Sequence, residues 1–312
     1  MMARRSKGSD GKAHRFGGDW TTAKLDVLAD YLKSYTTALK DKPSKERPFR
    51  KAYIDAFAGT GYREARSVGG TGGSQQELLL PDLADAEPQA LLDGSARRAL
   101  KTSPRFDRYV FIERSVDRCA HLEALKLEFA DLAEDIQIRQ GDANAEIQDL
   151  SSKEDWNSSR AVLFLDPYGM QVEWRTIEAV ARTKAIDMWL LFPLGMGVNR
   201  LLTKSGEIPE GWKRRLTLLL GTEDWYDDFY RTESEPTLFG DSDQVVKATT
   251  DTIGRYFNER LKSVFAAVAE KPRVLLNRQN NPLYLLCFAV GNARGAPIAL
   301  RIANHLLTRG TQ

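Results

Sequence analysis

Disulfides, metals and membranes each find little to build on in this chain. Only two cysteines occur, Cys119 and Cys287, far apart and each inside an apolar stretch. That excludes a disulfide framework and predicts reduced core thiols in a cytoplasmic protein. His14, His121 and His305 are scattered and no His-Glu-x-x-His spacing occurs, so no metal site is expected. Nowhere do about eighteen apolar residues run without interruption, and Arg4, Arg5 and Lys7 lead into no apolar segment, which argues against a membrane span and against secretion. An excess of one charge is missing too. The 45 Lys+Arg stand against 43 Asp+Glu for a net charge of +2, so a basic surface can come only from local clustering. With 42% hydrophobic and 28% charged residues over 312 positions, an ordinary globular composition remains, able to bury one large core.

Residues 1–18 are rich in Gly, Ser, Lys and Arg without periodicity and read as a flexible basic arm. From Trp20, the spacing of Leu25, Leu28, Leu32, Tyr35 and Leu39 predicts an amphipathic helix, stopped before Pro43. Residues 19–312 are expected to form a single domain with two interruptions. Residues 63–93, where Gly69, Gly70, Gly72 and Gly73 precede an acidic stretch, read as a loop insertion. Residues of about 198–245, with Trp212, Lys213, Arg214, Arg215, Trp225, Tyr226, Phe229 and Tyr230, read as a helical insertion. Its interleaved basic and aromatic residues suit either a core or a surface that stacks bases and holds phosphates.

Between these lie short apolar runs, each finishing on acidic or glycine residues. Tyr53-Ile54-Asp55-Ala56-Phe57-Ala58-Gly59-Thr60-Gly61 reads as a buried strand entering a glycine turn, in which Gly59 and Gly61 permit close backbone approach to a ligand. Tyr109 to Ile112 ends on Glu113-Arg114, Ile136 to Ile138 on Gly141-Asp142-Ala143, and Ala161 to Leu165 on Asp166-Pro167-Tyr168-Gly169. A fifth run, Met188 to Phe192, stops at Pro193. Separated by helical stretches, these predict a doubly wound α/β fold with its polar groups gathered on one edge of a mostly parallel sheet. Val274 to Leu276, the turn at Asn280-Asn281-Pro282 and the run Leu283 to Val290 predict an antiparallel hairpin at the carboxyl end. The third glycine of a dinucleotide fingerprint would fall on Glu64, which disfavours a dehydrogenase.

Taken in this order, Asp55-x-Phe57-Ala58-Gly59-x-Gly61, Ile112-Glu113-Arg114, Gly141-Asp142-Ala143 and Leu165-Asp166-Pro167-Tyr168 resemble the successive motifs of class I S-adenosylmethionine-dependent methyltransferases. The subgroup that methylates exocyclic amines of nucleic-acid bases is the nearest in pattern. Over the whole chain, with the Trp20 helix, Phe192-Pro-Leu-Gly-Met-Gly and Pro282-Leu-Tyr-Leu-Leu-Cys-Phe288, the sequence resembles the bacterial and phage three-Cys-motif partner proteins. The resemblance implies a seven-stranded Rossmann-like methyltransferase sheet with S-adenosylmethionine as cofactor. It places Asp55, Phe57 and the Ala58, Gly59, Thr60 and Gly61 backbone by the methionine portion, Glu113 with Arg114 by the ribose, and Asp142 with Ala143 by the adenine. Asp166, Pro167 and Tyr168 would carry the reaction: a carboxylate and a carbonyl accept the two hydrogens of an amine while Tyr168 stacks on the base. Tyr168 stands where the related amine methyltransferases usually carry a second proline. Nucleic acid and a three-cysteine, radical-S-adenosylmethionine-like protein are the partners implied. The alternative implied by the same resemblance is a non-catalytic module that positions that partner.

Overall fold

The structure, a computed structural model, describes residues 19–41, 44, 49–59, 94–237 and 240–309. The arm expected at 1–18 and the loop expected at 63–93 lie outside the described residues. The chain opens with α1 (Asp19–Ala38) and β1 (Arg50–Asp55), followed by α2 (Ser95–Leu100), β2 (Arg108–Glu113), α3 (Val116–Glu128) and β3 (Ile136–Gln140). Then come α4 (Ala143–Lys153), β4 (Ser159–Leu165), α5 (Trp174–Arg182) and β5 (Ile186–Phe192). After α6 (Glu210–Leu220) and α7 (Trp225–Phe229) the chain forms β6 (Tyr230–Thr237) and β7 (Gly240–Lys247), and it finishes with α8 (Thr250–Lys262), β8 (Ala267–Val268), β9 (Arg273–Leu276), β10 (Pro282–Val290) and α9 (Ala296–Thr308).

The main sheet runs β3-β2-β1-β4-β5-β10-β8, with β9 also paired to β10. The first five strands are mutually parallel, and β10 is antiparallel to β5. Along its outer edge β10 meets β9 at Pro282 to Leu286 and β8 at Ala289 and Val290, so two short strands fill the seventh place in turn. This is the doubly wound plan with a carboxyl-terminal antiparallel hairpin that the apolar runs predict. The hairpin turn is fastened by Asn277, whose Oδ1 accepts from the Gln279 and Asn281 amides at 2.9 and 2.8 Å, and by Asn280 in the left-handed region at φ +60°.

Central strands buried on both faces favour apolar residues on both, which is why β5 reads as an unbroken run from Met188 to Phe192 rather than an alternation. One face packs Leu28, Tyr31 and Leu32 of α1 with α2, α3 and α9 against Tyr53, Phe111, Phe164 and Trp189. The other packs Ile147 of α4, Ile177 of α5, Leu216 of α6 and Phe257 of α8 against Ile54, Leu163, Met188 and Phe192. Helices thus cover both faces, and the connections leave β1 in opposite directions, toward β2 and β3 on one side and β4 and β5 on the other. The carboxyl ends of β1 and β4 flank the point where the strand order reverses, where open α/β sheets bind ligands.

The insertion expected to be helical is so only as far as Phe229. From Tyr230 the chain forms the two-stranded β6–β7 ribbon, paired in register from Tyr230↔Lys247 to Thr237↔Gly240. Sequence periodicity misses it because a two-stranded ribbon needs no continuous apolar face. Trp225, Phe229 and Tyr230 are buried, so these aromatics belong to the core and are not free to stack on bases. A turn of π-helix, Leu194–Val198, follows β5. It is held tightly against β10: a Cβ on Gly195 would lie 1.8 Å from the Pro282 carbonyl oxygen, so only glycine fits.

Candidate functional site

The carboxyl ends of β1 to β4 carry one carboxylate each, or one just beyond, and β3-β2-β1-β4 are neighbours in the sheet, so all four groups stand along one rim. Asp55 closes β1. Successive strand residues alternate faces, so Asp55 shares the α1 face with Tyr53, and it is fully buried there. Tyr53 Oη donates to Asp55 Oδ2 at 3.2 Å, while Asp55 Oδ1 meets no donor at hydrogen-bonding distance among the described residues. Burial pushes the Asp55 carboxyl up to about 7, with Asp166 adding to the rise and Ser95, Tyr53 and the Phe57 amide opposing it.

Beyond Asp55 the backbone splits its bonds between both neighbours, the Ala56 amide donating to Phe164 O and the Ala58 amide to Ile112 O, each at 3.1 Å. Gly59 then turns at φ +62°, with nothing among the described residues within 4 Å of where a Cβ would be. Its amide donates to Glu113 Oε2 at 3.1 Å. Glu113 is buried and well occupied. Its Oε1 also accepts from the Ser115 amide at 2.8 Å and from Arg118 Nη2 at 2.7 Å. Three donors on one carboxylate leave room for about one more. Arg114, next in sequence, is exposed.

Asp142 is exposed and caps α4, its Oδ1 accepting from the Asn144 and Ala145 amides at 3.0 and 3.1 Å. Ala143 beside it is buried. The Gly141 amide donates to Glu113 O at 3.1 Å, so this end of the rim is tied to β2. Asn144 binds the adjacent rim loop, donating to Gln171 O at 2.8 Å and accepting from the Glu173 amide at 2.9 Å.

Asp166 does not cap the helix that follows: α5 starts behind Glu173, and no side chain caps it. It pairs instead with Lys24 of α1, Nζ to Oδ2 at 2.5 Å, with side-chain exposures of 7% for Lys24 and 23% for Asp166. Lys24 lies over the Trp20 ring, 5.0 Å from its centroid, and Trp20 stacks on Tyr284 of β10 at 5.2 Å. Pro167 is buried, whereas Tyr168 is 61% exposed, its amide fixed to Gln171 Oε1 at 3.1 Å. Phe57 is half-buried, and Thr60 and Gly61 lie outside the described residues.

Lys24 is the residue the sequence reading passed over, with Tyr53 and Ser95 behind it. A signal was present. Lys24, Leu28, Tyr31 and Tyr35 recur at helical spacing along the inner side of α1, and a lysine there must find a carboxylate. Asp187 was passed over as well and is a different case. It accepts from Tyr31 Oη at 2.9 Å and burial lifts its carboxyl to about 7, but it sits near the start of β5, away from the rim. Cavities of about 500 and 210 Å³, lined by residues such as Trp156, Arg182 and Arg50, are likewise at the opposite end of the strands. No group of three or more potential metal ligands occurs among the described residues, and none of the described helices is long and apolar enough to cross a membrane.

The buried Asp55 makes a testable demand. An aspartate whose pKa rises on folding from 3.8 to about 7 holds a proton in the folded state that the unfolded chain has lost, so its contribution to stability falls as pH rises through that window. Asp55→Asn removes this cost. Urea denaturation is expected to find the variant more stable than wild type by on the order of 4 kcal/mol at pH 8, with the gain vanishing toward pH 4.

No family model matches the sequence, and no curated protein matches it. Among solved structures, protein LPL1258 from Legionella pneumophila str. Philadelphia 1 is 11% identical at a TM-score of 0.45, over 94% of this chain and 92% of that one. An S-adenosylmethionine-dependent methyltransferase from Clostridium acetobutylicum ATCC 824 is 11% identical at 0.33, over 86% and 92%. The glycopeptide N-methyltransferase MtfA, complexed with S-adenosyl-L-homocysteine, is 11% identical at 0.29, over 83% and 89%. At these identities and TM-scores the likenesses carry no argument about what this chain does.

Proposed function

We propose that this chain is an S-adenosylmethionine-dependent methyltransferase acting on an amine nitrogen, with an exocyclic amine of a nucleic-acid base as the acceptor. One observation carries the reading: Asp55 and Asp166 flank the switch point of the sheet, with Glu113 and Asp142 continuing the same rim. The residues present fit the cofactor. Gly59 offers a left-handed turn; among the described residues, nothing lies within 4 Å of where its Cβ would be, and Asp55 keeps one buried oxygen without a partner. Asp142 uses a single oxygen for its cap. Glu113 fits in part: with three donors in place it can take one ribose hydroxyl, and the second requires Arg118 to swing aside.

When bound, S-adenosylmethionine supplies an electrophilic methyl group. The chain's own contribution is positioning. Asp166 and the Pro167 carbonyl accept the two amine hydrogens and aim the nitrogen lone pair, Tyr168 stacks on the base, and the carboxylate stabilises the charge that grows on nitrogen. A base within a duplex has to be flipped out to reach this rim. A second reading, a non-catalytic module that positions a three-cysteine protein, is favoured by one observation, that Asp166 is already occupied by Lys24. Calorimetry separates the two. Micromolar binding of both S-adenosylmethionine and S-adenosylhomocysteine is expected, and absence of binding by the wild-type chain would leave only the non-catalytic role.

A further inference from the structure

Lys24 is unusual in three respects at once. Its ammonium is nearly buried, it reaches from a helix that precedes the whole βαβ series, and it lands on the carboxylate proposed to receive the acceptor amine. The contact is built rather than incidental. Trp20, one turn earlier on α1, lies beneath the ammonium and is fixed from below by Tyr284, while α1 itself packs on α2 and on α9. A buried cation is kept only where a partner offsets its desolvation, and Asp166 is the carboxylate at hydrogen-bonding distance. The charge around the reaction centre is therefore set by α1 as well as by the strand ends. With Lys24 in place, the Asp166 charge is balanced and its Oδ2 is held by an ammonium of the protein's own.

We propose that Lys24 is a positioning residue of the reaction centre: it holds one oxygen of Asp166 and, by cancelling that carboxylate, sets how strongly the centre favours the cationic cofactor over its neutral product. This rests on the methyltransferase reading and deepens it. S-adenosylmethionine carries a sulfonium and S-adenosylhomocysteine a thioether, so the two differ at the reacting atom by one positive charge. A unit charge a few ångströms from that atom acts on one ligand and not on the other. An acceptor amine that reaches Asp166 takes its other oxygen, Oδ1, while the Lys24 ammonium stays on Oδ2.

The test is the ratio of the two affinities, measured by calorimetry on the full chain. Lys24→Met frees the Asp166 carboxylate and is expected to shift the ratio toward S-adenosylmethionine by about tenfold. Asp166→Asn leaves the Lys24 ammonium uncompensated and is expected to shift it about tenfold the other way. Lys24→Arg keeps the charge and is expected to stay within about twofold of wild type. A role confined to holding α1 in place would move both ligands together and leave the ratio unchanged. Such a result in Lys24→Met overturns the proposal, and if that variant does not fold, an unchanged ratio in Asp166→Asn does the same. Failure of wild type to bind either ligand is a different outcome, which removes the methyltransferase reading and this inference with it.

Discussion

Asp166→Asn is expected to lower methyl transfer to nucleic-acid acceptors by about a hundredfold or more, while affinity for S-adenosylhomocysteine stays within about threefold of wild type. The side chain keeps its shape and one oxygen, so the rim should hold its geometry. What changes is the chemistry. The amide presents an N–H in place of one carboxylate oxygen, so the Lys24 ammonium and an incoming amine hydrogen must share the single oxygen that remains. It also carries no charge to balance the positive nitrogen formed as the methyl arrives. Alanine is the poorer test, because it opens space and leaves the nearly buried Lys24 without any partner. The measurement is transfer of labelled methyl from S-adenosylmethionine to pooled DNA and RNA, with binding followed in parallel. Transfer that persists in Asp166→Asn would remove this residue from the reaction, and the absence of transfer by wild type to either pool would remove nucleic acid as the acceptor.

Phe257→Ala is expected to destabilise the fold by about 3–5 kcal/mol, seen as a lower urea midpoint with an unchanged slope. Phe257 is fully buried on α8, stacked on Phe192 of β5 with ring centroids 3.9 Å apart and edge-on to Trp174 of α5 at 6.3 Å. Truncation therefore opens a cavity between three elements at once. None of the three can close it alone. β5 is pinned between β4 and β10, and Trp174 is wedged against Gly221, where an added Cβ would lie 2.0 Å from its Cδ1. An effect below about 1 kcal/mol would mean that α8 relaxes into the gap and that this face is less rigid than its packing indicates.

The strands and their polar endings could be read directly from the residues, because a strand buried on both faces leaves an uninterrupted apolar run and the residue ending it is obliged to be something else. Met188 to Phe192 and Leu283 to Val290 are of this kind, and so are the acidic residues at 55, 113, 142 and 166. The β6–β7 ribbon was not legible, since YRTESEPT and GDSDQVVK are polar through most of their length and show no apolar period of two. Lys24 was legible only in part: its place on the apolar side of α1 marks it as a buried lysine, but nothing local says which carboxylate it meets, 142 positions away.

Local pattern by itself determined that this chain is a doubly wound sheet with its carboxylates on one rim, because burial on two faces and alternation of side chains are properties of a strand and its immediate neighbours. Tertiary structure alone decided how two of those carboxylates are used, Glu113 by taking the Gly59 amide and Asp166 by joining Lys24, whereas Asp55 meets Tyr53 two positions away and Asp142 caps its own helix. The first two pairings span 54 and 142 positions, fixed by the need of a buried charge or lone pair to find a partner once the helices close over the sheet.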